Sequence, residues 1–279
     1  MPHFGTKNRI KTEMTNFLYK RGIDFMVNRI PVKVNNDGKT LINLGSGDWE
    51  CDGWTNLDYS SKWYSKVQKR HRFVEYDIRH DKIPYEDDSV DCIYCSHVIE
   101  HIENGYDEKM LEECYRILKM GGVLRIACPD AEFLWQMAKY GKDWWCWRKR
   151  WCIQFGVDYK DLRPVDLLVR EVATPRMKNF GYLYGTEKGY KDYIDEFERL
   201  KCEDFLGFIT SGLEFNVDHV GDHINYWTFE KLSGSLQKAG FKTIIRSRYA
   251  GSISPYMKSR AYFDMTEPGM SLYVEAIKD

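Results

Sequence analysis

Two glycines one residue apart, Gly45 and Gly47, close the apolar run Leu41-Ile42-Asn43-Leu44, with Ser46 between them. Glycine has no Cβ, so a chain leaving a buried strand here can turn sharply and bring its backbone against a ligand. Further on, Trp54-Thr55-Asn56-Leu57-Asp58 and Phe73-Val74-Glu75-Tyr76-Asp77-Ile78 each bring a carboxylate to the end of an apolar stretch. In a doubly wound sheet, an acid ending the second strand reaches the hydroxyls of a ribose bound at the first loop, which suits Asp58. Asp77 could accept from an exocyclic adenine amine while Ile78 meets the ring. Ser96 ends the run Val90 to Ser96, whose carboxyl end reaches the same crevice, and His97 follows it. His219 and His223 stand far along the chain in Asn216-Val-Asp-His-Val-Gly-Asp-His-Ile. Imidazole titrates near neutrality, so either could take a proton from a hydroxyl. The bland alternatives are a solvated loop aspartate at 58 and a histidine that fixes a loop at 223.

Strands must hold these residues in one row. Apolar runs at 41–44, 54–58, 73–78, 90–96 and 123–130 supply five strands. Between them, His97-Val-Ile-Glu-His-Ile opens a helix. Asp107 to Lys119 is amphipathic, with Met110, Leu111, Cys114, Tyr115, Ile117 and Leu118 as its buried stripe and Gly121-Gly122 as a left-handed C-cap. Lys242-Thr-Ile-Ile-Arg-Ser and Ser271-Leu-Tyr-Val-Glu-Ala-Ile-Lys finish the sheet as an antiparallel edge pair, after a helix that starts near Thr228. Alternating strands and helices give an α/β fold, a Rossmann-like seven-stranded and mostly parallel sheet with helices on both faces and ligands at the carboxyl ends of the strands.

Residues 131–216 break this rhythm and form a helical, aromatic insertion in the core built from 39–130 and 217–279. Residues 1–38 form an N-terminal helical extension. The insertion holds Trp135, Trp144, Trp145, Trp147 and Trp151 among Lys139, Lys142, Arg148, Lys149 and Arg150, then Phe180-Gly-Tyr-Leu-Tyr-Gly and a helical Tyr193 to Leu200. Aromatic faces suit sugar rings and basic groups suit phosphate, so the insertion could be a lid or substrate platform. It could equally be a packed subdomain with a tryptophan core, or a membrane-surface helix. Arg246, Arg248, Arg260 and Tyr262 are further candidates for an anionic acceptor, with surface solvation as the default.

Lysine plus arginine total 41 against 42 acids, so no global basic field advertises nucleic acid, and no apolar run has the length of a membrane span. A cytoplasmic protein is expected, with a homodimer left open. The eight cysteines lie mostly in apolar segments and read as reduced small hydrophobes. Cys92 and Cys95 share a strand-like run, so they point to opposite faces and offer no metal or redox pair. His219 and His223 would need Asp218 or Asp222 as a third ligand, a secondary reading; no metal is expected.

In order along the chain, LINLGSG, TNLD, EYDI, IPYEDDSVDCIYCSHVIEHI and LKMGGVLRIACPD resemble class I S-adenosylmethionine-dependent methyltransferases of type 11. The likeness covers 40–130 and about 219–277. The short spacing from LINLGSG to TNLD and the closing SLYVEAIK are similar to predicted bacterial methyltransferases of lipopolysaccharide and surface-polysaccharide biosynthesis. The resemblance implies that Gly45, Ser46 and Gly47 flank the methionine part of the cofactor, Asp58 holds the ribose, Asp77 and Ile78 hold the adenine, and Ser96 and His97 lie beside the sulfonium. Many relatives carry an acid where Asn43 stands; Asn43 can accept a hydrogen bond but brings no charge. The polysaccharide-type relatives carry a His followed by Tyr and a helix ending in Ala-Gly-Phe, matched by His223, Tyr226 and Leu232 to Phe241. Such an enzyme would O-methylate a sugar or sugar-containing small molecule, with His223 or His219 as base. The alternatives are a nucleic-acid methyltransferase and a non-catalytic cofactor-fold module. A nicotinamide-binding domain fits less well, because Glu50 stands where the third glycine of its fingerprint belongs.

Overall fold

The computed structural model describes residues 38–154, 156–177 and 190–279. Residues 1–37 of the expected N-terminal extension and the Phe180-Gly-Tyr-Leu-Tyr-Gly stretch lie outside them. Apolar runs become strands where the sheet buries them: β1 (Leu41–Leu44), β2 (Thr55–Asp58), β3 (Val74–Glu75), β4 (Val90–Ser96), β5 (Leu118–Pro129), β6 (Thr243–Arg246) and β7 (Ser271–Ile277). The sheet order is β3-β2-β1-β4-β5-β7-β6. Strands β1 to β5 pair in parallel, and β7 runs antiparallel to both β5 and β6. The order reverses between β1 and β4, where a crevice opens at the carboxyl ends of the strands.

Helices α1 (Ser65–Gln68), α2 (Tyr106–Ile117), α3 (Ala131–Tyr140), α4 (Lys149–Gln154), α5 (Pro164–Val172), α6 (Tyr190–Arg199), α7 (Cys202–Thr210) and α8 (Phe229–Lys238) complete the described architecture, with short 3-10 turns between some of them. Met110, Leu111, Cys114 and Ile117 of α2 join Leu232 and Leu236 of α8 over Ile42, Leu44, Ile93, Cys95 and Leu124. Burying each such side chain contributes about 1.5–3 kcal/mol. On the other face, Leu41, Cys92, Tyr94 and Val123 pack against Met257 and Phe263. Cys92 and Cys95 therefore do face opposite ways, and all eight cysteines are free.

Three local expectations need correction. The third strand shrinks to Val74–Glu75, because the Asp77 N–H turns to the Asp81 carboxylate at 2.8 Å and the Asp77 carbonyl accepts from His80 and Asp81. The stretch after His97 makes only a 3-10 turn, Ile99–His101, since the Glu100 carbonyl is taken by the N–H groups of Ile224 and Asn225. Gly121-Gly122 is no helix cap: α2 ends at Ile117, Leu118 pairs with Val90, and Gly121 donates to the Lys278 carbonyl at 2.7 Å within the β5–β7 ladder.

The insertion builds a second apolar cluster from Leu134, Trp145, Leu167, Leu168, Phe197, Phe205, Leu206 and Ile209. Trp145 is wholly buried, and Trp144 packs edge-on to it at 4.9 Å and to Trp147 at 5.6 Å. Trp145 is interior, while Trp135, Trp144, Trp147 and Trp151 are half-buried and packed against this cluster. No helix among the described residues is long and apolar enough to cross a membrane.

Candidate active site

The carboxyl ends of β1, β2 and β4 border a cleft of about 500 Å³. Gly45, at φ +65°, donates to the Leu57 carbonyl at 2.8 Å, and a Cβ on it would lie 2.4 Å from Val98 Cγ2. Only glycine fits there. Gly47 donates to Asp58 Oδ2 at 2.7 Å, Ser46 Oγ lies 3.3 Å from the same oxygen, and Tyr59 N–H donates to Oδ1 at 2.7 Å. Burial raises the Asp58 carboxyl above its ordinary value, against the pull of the Gly47 and Tyr59 N–H groups. Each oxygen keeps accepting capacity toward the cleft that Asp58 lines. A glycine loop without Cβ atoms, closed by a carboxylate that still faces the cleft, fits an adenosyl donor.

Asp77 and Ile78 also line the cleft. The Asp77 carboxylate, however, takes a bidentate pair from Arg79 at 2.9 and 2.7 Å, a partner absent from the sequence reading. Burial would raise the Asp77 carboxyl, but the Arg79 hydrogen bonds hold it below its ordinary value. The Arg79 guanidinium also lies 3.9 Å from the Phe215 ring centroid, so an adenine amine would share Asp77 with a stacked cation. Asn43 is set apart: it lines a smaller adjoining pocket of about 370 Å³ that shares Gly45, Ser46 and Ser96 with the cleft. Its Nδ2 lies 3.4 Å from Asn56 Oδ1. Ser96 and His97 end β4 at the cleft. His97, at φ 54°, spans Glu100 Oε1 at 3.0 Å and Ser271 Oγ at 2.9 Å.

The far wall comes from the insertion and the 219–225 loop. His223 donates through Nδ1 to the Glu171 carbonyl, and its own backbone exchanges hydrogen bonds with Thr174 at 2.9 and 3.0 Å. Burial first, then neighbouring His101, pushes its pKa down to about 3. The ring therefore stays neutral near pH 7, with Nε2 as an acceptor. Glu171 also collects Arg148 at 2.7 Å and Arg170 at 2.6 Å, Arg148 reaches Glu267 at 3.1 Å, and both arginines and Glu267 are among the residues lining the cleft. Burial would raise Glu171, but these two cations hold it low. His219 is absent from the cleft lining and stands 5.1 Å from the Trp63 ring instead. The set of His219 and His223 with Asp218 or Asp222 is not brought together; Glu100, His101 and His223 are.

Arg79, Glu100, His101, Arg170 and Glu171 are the site residues that sequence reasoning missed. His97-x-x-Glu100-His101 carried a readable signal, three titratable groups in five residues, hidden by reading the stretch as a helix start. Arg170 and Glu171 carried none, because only tertiary docking of α5 brings them to the sheet.

Residues 49–126 match the family model described as a methyltransferase domain. No curated protein matches the chain. Among solved structures, an S-adenosylmethionine-dependent methyltransferase from Archaeoglobus fulgidus is similar at 13% identity and TM-score 0.43, over 98% of this chain and 95% of that one. One from Thermotoga maritima, described as a possible histamine N-methyltransferase, is similar at 16% identity and TM-score 0.40, over 86% and 82%. At these scores the structural likenesses carry no argument about activity. The matched segment spans β2 to β4 and most of β5 and carries Asp58, Asp77 and Ser96; it supports a methyltransferase whose methyl donor is S-adenosylmethionine.

Proposed function

We propose that the chain O-methylates a sugar or sugar-containing small molecule, of the kind used for surface polysaccharides, in the cytoplasm. The observation that carries this reading is the far wall of the cleft, where a neutral His223 stands beside Arg148 and Arg170. The donor's sulfonium supplies an activated methyl. In this reading Gly45, Ser46 and Gly47 admit its methionine part, with Asn43 behind them. Asp58 holds the ribose, Asp77 and Ile78 the adenine edge, and Ser96 and His97 border the sulfonium end. Aligning a nucleophile with the C–S bond and excluding water contributes roughly 7–11 kcal/mol in well-oriented cases.

His223 Nε2 would accept the hydrogen bond of the acceptor hydroxyl and fix its lone pair toward the methyl. With a pKa of about 3, the ring orients the hydroxyl better than it deprotonates it. This reading gives the step to His223 rather than His219, which is not among the residues lining the cleft. Arg148 and Arg170 would meet an anionic group on the acceptor, such as the phosphates of a nucleotide sugar.

The test incubates the full chain with labelled S-adenosylmethionine and a panel of nucleotide sugars and sugar phosphates. Methyl incorporation into a sugar hydroxyl is the expected result. Incorporation only into RNA would replace the reading with a nucleic-acid methyltransferase. No transfer and no S-adenosylhomocysteine binding would make the chain a non-catalytic module.

A further inference from the structure

Glu100 is only 1% exposed, and among the described residues its carboxylate has one near polar partner, His97 Nδ1 at 3.0 Å from Oε1, with none at Oε2. A carboxylate taken out of water to this degree is costly unless further positive charge faces it. Beside it stand two imidazoles with matching anchors. His101 donates through Nδ1 to the Asp222 carbonyl at 2.8 Å, and His223 donates through Nδ1 to the Glu171 carbonyl. A carbonyl can only accept, so each Nδ1 bears a proton, and in the neutral ring Nε2 carries the lone pair. Fixing one ring nitrogen on a backbone carbonyl while the other stays free is the outer-shell arrangement of metal-bound histidines. One ligating atom from each of Glu100, His101 and His223 lies within 4.8 Å of the others. The two rings meet edge to face with centroids 4.8 Å apart, and both line the cleft.

We propose that Glu100, His101 and His223 form a binding site for a divalent transition-metal cation on the acceptor side of the cleft. Two imidazoles and one carboxylate suit Zn²⁺ and its first-row neighbours, whereas Mg²⁺ and Ca²⁺ favour all-oxygen shells. His97 retains Oε1, which leaves Oε2 for the cation. His101 and His223 line the cleft, so a cation held by them would face an acceptor lying in it. An acceptor hydroxyl bound there gives its proton to solvent more readily. Its oxygen pair then forms the bond to the methyl carbon, and the C–S pair stays on sulfur. This use of the cation rests on the O-methylation reading and commits the His223 Nε2 lone pair to the cation, which then takes the place of the direct His223 hydrogen bond to the acceptor hydroxyl; the binding of the cation does not rest on that reading.

The full chain, stripped with chelator, is titrated with Co²⁺ and Zn²⁺ by calorimetry, with visible absorption read for Co²⁺. One cation per chain is expected, with at least about tenfold weaker binding in His101→Ala and His223→Ala. His101→Gln and His223→Gln keep an N–H for the carbonyl but lose the Nε2 lone pair, so they give the same loss without emptying the site. S-adenosylhomocysteine binding by the same samples is expected to be retained, which reports that they are folded. Absence of saturable binding by the unsubstituted chain, or equal affinity in folded variants, overturns the proposal. Cation binding without sugar methylation would leave this site standing and remove the O-methylation reading alone.

Discussion

Asp58 ties Gly47 and Tyr59 into the loop while it lines the cleft, so the carboxylate that shapes the cradle is also offered to a ligand there. In the sequence it stood out as the acid closing the short apolar stretch Trp54 to Asp58. The sequence could not show that the Asp77 carboxylate belongs to Arg79, because a pair two residues apart in an irregular turn leaves no pattern to read. Replacing Asp77 with Ala should free the Arg79 guanidinium and weaken S-adenosylhomocysteine binding by about tenfold, the loss of one charge-assisted hydrogen bond. Calorimetry on Asp77→Ala checks this. Unchanged affinity would mean that Asp77 serves Arg79 and not the adenine.

At the scale of elements, the strands around the switch point were legible wherever burial on both faces wrote a continuous apolar run, as in β1 and β4. The errors fell where local hydrogen bonds compete with the ladder, at Asp77–Asp81, or where tertiary contacts claim a helix's carbonyl, at Glu100. The turn after β1 gives a sharp test. Gly45→Ala forces a Cβ into Val98 at a left-handed position and should cost about 1–3 kcal/mol of stability together with donor affinity, read by urea unfolding and calorimetry. Asp91 pins the start of β1 to β5 through Thr40 N–H at 3.0 Å and Lys119 at 2.7 Å. Burial would raise its pKa, but Lys119, Thr40 and Lys39 hold it down to about 2. A folded pKa below the unfolded one gives stability that is present above 3.8 and lost as pH falls toward about 2. Urea midpoints measured through that window should drop in the unsubstituted chain and drop less in Asp91→Asn.

For the molecule as a whole, an ion network holds the 247–264 segment against the sheet. Arg125 and Glu275 sit opposite each other on β5 and β7, and Arg125 also reaches Asp264 at 3.0 Å, all three side chains fully buried. Ser247 Oγ and the Arg248 carbonyl, both at 3.0 Å, complete its hydrogen bonds. The charged residues in VLRIACPD and SLYVEAIK were visible as breaks in apolar runs, but their pairing depends on antiparallel register, which one sequence does not reveal. Arg125→Ala strands two buried carboxylates and should destabilise the fold by about 3–5 kcal/mol in urea unfolding. A loss below about 1 kcal/mol would show that the network is not a main fastening of that face. The insertion follows the same logic. Its tryptophans were legible as a cluster, but only tertiary packing put Trp145 inside it and brought Arg148 and, on α5, Arg170 to the cleft.

The most direct measurement is calorimetric titration of S-adenosylhomocysteine into the full chain and into Asp58→Ala. Saturable one-site binding, weakened by roughly 10- to 100-fold in the variant through the loss of charged hydrogen bonds, is the expected result. No binding by the unsubstituted chain, or equal affinity in a folded Asp58→Ala, would contradict the placement of the donor in this cleft.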